Sequence, residues 1–126
     1  QLRLELEPTH TSVVSDEKWL AFVIEQLLSN ALKYTKTGSV RIYMTLPKTL
    51  CIRDTGIGIA PEDLPRVFEK GYTGSNGRTD KRATGIGLYL CRRILAKLGH
   101  SITIASTPGV GTTVRIGLEQ DALEVE

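Results

Sequence analysis

Three short stretches of this 126-residue chain carry residue types that could act on one ligand. The first is "EQLLSNALKYT", where Gln26, Asn30 and Lys33 are spaced i, i+4, i+7 and so share one side of a helix. An amide oxygen there suits Mg²⁺, a hard cation that prefers oxygen ligands, and the lysine neutralises phosphate. Tyr34, the next residue, can flank an aromatic base by stacking. The second stretch is "CIRDTGIGIAP", in which a strand-like run delivers Asp54 to its end and Gly56 and Gly58 turn the chain. Glycine permits a positive φ or the close approach of a ligand, and the carboxylate can accept a hydrogen bond from an amine on a planar ring. The third is "TGIGLYL", where Gly85 and Gly87 stand at the entry to a helical pattern. Free N–H groups and the helix dipole favour an anion at such a position. Lys70, Arg78, Lys81 and Arg82 lie upstream and could close over phosphates.

Each stretch taken alone has a plainer alternative. The helix residues also fit a solvent-facing polar edge, and Asp54 fits an Asx-turn that merely caps its own loop. The second glycine pair fits a hinge beside a solvated charged loop. The common phosphate motifs are absent: there is no G-x-x-x-x-G-K-[ST], and the dinucleotide fingerprint fails because Pro61 and Leu90 occupy the third-glycine positions. Metal-ligand spacings and a nucleophile elbow are missing too.

The elements that must position these residues are legible from periodicity. "LRLELE" (residues 2–7) alternates as a strand, and "TSVVS" suits a short second one. A long helix follows, N-capped by Ser15 or Asp16, with an apolar stripe of Leu20, Ile24, Leu27, Leu28 and Ala31, fading between Tyr34 and Gly38. "SVRIYMTLP" and "TLCIRD" form a hairpin turning near Pro47 and Lys48. Pro61 can open a short helix. Residues 69–85 hold four glycines and almost no apolar side chains, the composition of a long loop. "IGLYLCRRILAKLG" is an amphipathic helix ended by Gly99, and "HSITIAST" and "TTVRIGL" form a closing hairpin around Pro108 and Gly109. This order predicts an α+β sandwich: a mixed, mostly antiparallel sheet with helices packed on one face.

Composition sets further bounds. With 40% hydrophobic and 24% charged residues and a net charge of +2, the chain is an ordinary globular domain with no bulk attraction to nucleic acid or anionic membrane. Cys51 and Cys91 form no CxxC pair and are expected as buried reduced thiols. No apolar run reaches the ~18 residues of a membrane helix. The start at Gln1, without methionine or signal peptide, predicts a domain excised from a longer protein, with residues 1–118 forming the domain and 119–126 an acidic tail.

Taken together, "EQLLSNALKYT", "DTGIGI", "RVFEKGYTG" and "TGIGLYL", in this order, resemble the N, G1, F and G2 boxes of the ATP-binding catalytic domain of two-component sensor histidine kinases. "GVGTT" resembles the closing glycine-threonine motif, and the resemblance runs from about residue 2 to residue 118. It implies the Bergerat fold shared with HSP90, DNA gyrase B and MutL, and a site for ATP and Mg²⁺. On this resemblance Asn30 holds Mg²⁺, Lys33 contacts phosphate, Tyr34 flanks adenine, and Asp54 accepts from the adenine amino group. Gly56, Gly58 and Ile59 shape that pocket, and Thr112 helps bind the adenine edge, through water. Residues 70–84 become an ATP lid, with Lys70, Gly71, Tyr72, Thr73, Arg82 and Thr84 near the nucleotide. Gly85, Ile86, Gly87 and Leu88 offer backbone amides to the phosphates.

The wording of the F and G2 boxes resembles kinases with a short intramembrane sensor, which answer antimicrobial peptides and cell-wall antibiotics in Firmicutes. The implied reaction moves the γ-phosphoryl of Mg-ATP to a histidine on a dimerisation domain outside this chain, and thence to a cognate response regulator. The parent is then a plasma-membrane protein whose catalytic domain is cytoplasmic and touches neither membrane nor nucleic acid. His10 lacks the acidic neighbour of a phosphoacceptor, His100 follows the helix-ending Gly99 and is expected to begin a strand, and both are expected to be structural.

Two departures from the family pattern stand out. Gln26 occupies the first N-box position, where the hydrolysing relatives carry a glutamate; a neutral amide is no general base, and Glu25 points to another helix face. Thr73 stands where an F box often has arginine, leaving Arg78, Lys81 or Arg82 to supply the cation. The competing assignments are an ATPase or anti-sigma-type serine kinase of the same fold, and a nucleotide-binding module without phosphotransfer.

Overall fold

A computed structural model of the chain describes residues 2–6, 16–45, 48–69 and 87–118. The elements run β1 (Leu2–Leu6), α1 (Glu17–Tyr34), β2 (Gly38–Thr45), β3 (Thr49–Asp54), a 3-10 turn (Leu64–Arg66), α2 (Gly87–Lys97), β4 (Ser101–Thr107) and β5 (Gly111–Gly117). The five strands form one sheet in the order β1-β2-β3-β5-β4. β1 joins β2 in parallel across the α1 crossover, and every other neighbour is antiparallel. This is the expected mixed sheet. "TSVVS", Pro47, His10 and the tail 119–126 lie outside the described residues.

Helix α1 starts where Asp16, in extended backbone, accepts the Trp19 N–H at 3.1 Å, and it ends with Lys33 in its last turn, favourable to the dipole. Its buried stripe is Val23, Leu27 and Ala31. Val23 was not in the expected stripe; Leu20, Ile24 and Leu28 are only half-buried and flank the core. The stripe turns this way because α1 faces both β3 and α2, and Cys91 of α2 packs against the Val23 carbonyl, with Sγ 4.0 Å away. Helix α2 buries Cys91 and Leu95 and stops at Gly99, where the Gly99 and His100 N–H groups bond the Ala96 and Leu95 carbonyls at 3.2 and 2.8 Å. His100 is buried, as a structural residue should be, and the strand begins one position later.

The expected helix opening at Pro61 is not formed. Residues 61–63 make a turn, and the 3-10 segment begins at Leu64 with Pro65 in its first positions, where a missing N–H is harmless. Cys51 and Cys91 are buried free thiols.

The helix-covered face of the sheet is built in rungs. Met44, Leu50, Ile116 and Ile102 form one across β2, β3, β5 and β4, and Ile42, Ile52, Val114 and Ile104 form the next. Leu50, Ile52 and Ile116 are buried with Val23, Leu27 and Leu95 as the centre of the core. The third rung is Val40, Asp54, Thr112 and Ser106. Here three neighbouring strands abandon apolar alternation at the same end of the same face.

Candidate functional site

Asp54 closes β3 on that polar rung and is half-buried. Its Oδ1 accepts the Gly56 N–H at 2.9 Å and, from across the sheet, the Thr112 N–H at 3.3 Å. The first bond is the Asx-turn of the plainer alternative, so that turn is real. Both bonds fall on one oxygen, and among the described residues Oδ2 has no hydrogen-bond donor. Burial, the largest influence, raises the carboxyl above the usual aspartate value of 3.8, while the two amides and the neighbouring Thr35 hydroxyl pull it back. Thr35 itself is buried and makes no formed hydrogen bond among the described residues, so its pull acts through proximity.

The loop after Asp54 is held on three sides. Ile57 N–H bonds the Tyr34 carbonyl at 3.3 Å, tying the loop to the end of α1. Thr55 N–H bonds the Ser39 carbonyl at 3.0 Å and its hydroxyl accepts the Ser39 N–H at 2.9 Å, tying it to β2. On the third side Gly109 N–H meets the Ile57 carbonyl at 2.9 Å, and Ile59 N–H meets Ser106 Oγ at 2.8 Å. Two glycines permit this closeness. A Cβ on Gly56 would collide with the Tyr34 carbonyl and the Thr35 hydroxyl. Gly58 has φ +78°, and a Cβ there would strike the Thr107 carbonyl.

Through Tyr34 the loop is fixed against the helix end that bears Asn30 and Lys33. Gln26, Asn30, Lys33 and Tyr34 are all half-buried rather than lying on a fully solvated edge, and Glu25 is exposed. Lys33 Nζ lies 5.5 Å from the centre of the Tyr34 ring. The structure therefore joins Tyr34, Asp54, Gly56, Gly58, Ile59 and Thr112 into one bonded unit, with Asn30 and Lys33 on the last turns of the helix that anchors it. Gly87 is the first residue of α2 and a Cβ there would meet open space. Leu88 turns its side chain to the core. Lys70, Gly71, Tyr72, Thr73, Arg78, Lys81, Arg82, Thr84, Gly85 and Ile86 lie outside the described residues. The flanks of that segment are tied to each other, since the Arg92 guanidinium of α2 stacks over the Phe68 ring at 5.2 Å.

Ser106 was not among the expected site residues. Its signal is the break in "SITIAST", where Ile102 and Ile104 lead to a serine on the same face. The identical break at Thr112 and Asp54 marks the other two members of the rung.

A carboxylate at the sheet end, welded to the end of a polar-edged helix and followed by a second helix N-terminus, defines a nucleotide-binding α/β sandwich. Residues 15–122 match the family described as histidine kinase-, DNA gyrase B-, and HSP90-like ATPase, and the chain belongs to that family. It is 43% identical over 108 residues to the sensor histidine kinase YxdK of Bacillus subtilis (strain 168), covering 82% of this chain and 33% of that protein. It is 43% identical over 112 residues to the sensor protein BceS of Halalkalibacterium halodurans, covering 86% of this chain and 34% of that protein. The structure is similar to that of the mycobacterial sensor histidine kinase MprB, with a TM-score of 0.77 and 28% identity over 93% of this chain and 82% of that one. The chain thus spans about a third of the length of the curated relatives it matches. The resemblance to sensor histidine kinases of Firmicutes, read from the four boxes, is borne out.

Proposed function

We propose that this chain binds Mg-ATP and, within its parent protein, donates the γ-phosphoryl group to a histidine of a dimerisation domain, feeding a cognate response regulator. The observation that carries the reading is Asp54: one carboxylate oxygen is fixed by two backbone amides, and the other is left to accept the adenine amino group. Tyr34 flanks the ring, Gly56, Gly58 and Ile59 wall it, and Lys33 and the amides around Gly87 face the phosphates. Lid residues from Lys70 to Thr84 would complete the enclosure.

The donor set suits magnesium. Among the described residues no group of three His, Cys, Asp or Glu side chains could hold a metal by itself. Mg²⁺ keeps several waters and is usually held by one or two protein oxygens together with substrate phosphates; the Asn30 amide oxygen is such a donor. When bound, the ion supplies neutralisation of phosphate charge. Transfer itself needs positioning and charge stabilisation more than covalent help, which is what Asn30, Lys33 and the α2 N-terminus can offer. Gln26, a neutral amide in the place of a general base, disfavours hydrolysis.

The parent is proposed to be a plasma-membrane kinase of the antimicrobial-peptide-response type, with this domain on the cytoplasmic side. Among the described residues no helix is long and apolar enough to cross a membrane. The test is to combine this chain with its native dimerisation domain and γ-labelled ATP. Acid-labile, base-stable phosphohistidine is expected; no labelled histidine, with ATP hydrolysed instead, would assign the chain to the ATPases of this fold.

A further inference from the structure

Ser106 closes the polar rung on β4, and its hydroxyl is the meeting point of three contacts. It accepts the Ile59 N–H at 2.8 Å, lies 3.0 Å from the Gly111 carbonyl oxygen, and lies 2.7 Å from Thr112 Oγ1. A serine hydroxyl has one proton and two lone pairs. An amide N–H only donates and a carbonyl only accepts. One arrangement therefore satisfies all three contacts at once: Ile59 N–H fills one lone pair, the Ser106 proton goes to Gly111, and the Thr112 proton fills the second lone pair. Thr112 meanwhile gives its backbone N–H to Asp54 Oδ1. Both donors of Thr112 are then committed to the protein, and its side-chain oxygen keeps only lone pairs for a ligand.

We infer that Ser106 is a positioning residue that decides how the base is read: by taking the Thr112 proton it makes Thr112 a pure acceptor beside Asp54. The inference rests on the nucleotide reading above. Adenine presents a donor, its amino group, to Asp54 Oδ2, and next to it an acceptor, the ring nitrogen N1. Thr112 Oγ1 and N1 are both acceptors and cannot bond each other directly. A water that donates one proton to each joins them, and such a bridge is enthalpically nearly equal to a direct bond. Ser106 thereby makes the reading of N1 water-mediated. Without it the Thr112 hydroxyl regains a free proton, the bridge loses its fixed polarity, and the Ile59 amide that walls the pocket loses its acceptor.

The experiment measures affinity of this chain for ATP and for its 1-deaza analogue, in which N1 becomes a C–H that cannot accept. Wild type should favour ATP by roughly three- to ten-fold, the range expected for one net hydrogen bond. Ser106→Ala should shrink that preference, Ser106→Thr, which keeps the hydroxyl, should restore it, and in a Thr112→Val background Ser106→Ala should leave the preference unmoved. Thermal melts of each variant show whether the fold is retained. If Ser106→Ala weakens ATP and the analogue by one common factor, or acts equally with and without the Thr112 hydroxyl, Ser106 is only a brace for the loop and the inference is overturned. Should wild type bind ATP and analogue equally, the inference fails while nucleotide binding stands; binding of neither overturns both.

Discussion

Asp54→Asn separates the ligand role of this carboxylate from its structural role. The asparagine oxygen can take the place of Oδ1 and keep the bonds from Gly56 N–H and Thr112 N–H, now 2.9 and 3.3 Å long. The amide nitrogen then takes the place of Oδ2, so a donor faces the adenine amino donor. Removing a hydrogen bond to a charged group typically costs about 1.5–3 kcal/mol, which is roughly a ten- to hundred-fold loss of ATP affinity. Inosine triphosphate, whose 6-oxo group accepts, should lose nothing or gain, so the ATP preference should fall or invert.

Stability should move the other way. Burial raises the Asp54 carboxyl above 3.8 in the fold. The unfolded chain therefore ionises first, and the wild-type fold loses stability as pH rises from 3.8 through the folded value. Asparagine has no such slope. The variant should thus be at least as stable as wild type at pH 7, with that advantage vanishing below pH 3.8. Isothermal titration with both nucleotides and melting curves from pH 3 to 8 measure the two halves. Unchanged ATP affinity would falsify the base-acceptor role, and a lower melting temperature with equal losses for both nucleotides would mean that the carboxylate only holds the loop.

The remaining predictions probe other parts of the molecule. Lys33→Met should weaken ATP roughly ten-fold, as for loss of a charged hydrogen bond, and leave adenosine binding unchanged; a parallel loss of adenosine would move Lys33 away from the phosphates. Gly58→Ala places a side chain at φ +78° against the Thr107 carbonyl, a strain of at least about 1–2 kcal/mol, and should lower the melting temperature by several degrees. Leu95→Ala, at a position with no exposed surface, should destabilise by about 2–5 kcal/mol in urea unfolding; a smaller change would show that the helix–sheet core can collapse around it. Burial pushes the Cys91 thiol up to about 11, so stability should fall as pH rises from 9 towards that value, because only the unfolded thiol ionises there. Replacing Cys91 with alanine should flatten that part of the pH profile, and thiol reagents should reach Cys91 in the folded chain only slowly.

The local pattern already contained the elements and most of the site. The short strand-like run "TLCIRD" placed β3 at residues 49–54 with Asp54 at its end, and the i, i+4, i+7 spacing placed Asn30 and Lys33 on one edge of α1. Such features depend on neighbours a few residues away, so they can be read along the chain. Other features depend on contacts between distant segments. Val23 is buried because α1 must face α2 as well as the sheet, and the 3-10 turn begins at Leu64, not Pro61, because one proline permits a helical start without requiring it. The bonds that make the site are longer still in range: Thr112 to Asp54 spans 58 residues and Ser106 to Ile59 spans 47. Alternation tells which face a serine or threonine takes, but not which rung it joins. That is set by strand register, and register is decided when whole apolar rows such as Ile52, Val114 and Ile104 come into line. The residue types of "DTGIG" and "TTVRIG" were written in the chain; that they share one carboxylate oxygen, and that Ser106 sets the polarity of the group beside it, was decided only when the sheet closed over its core.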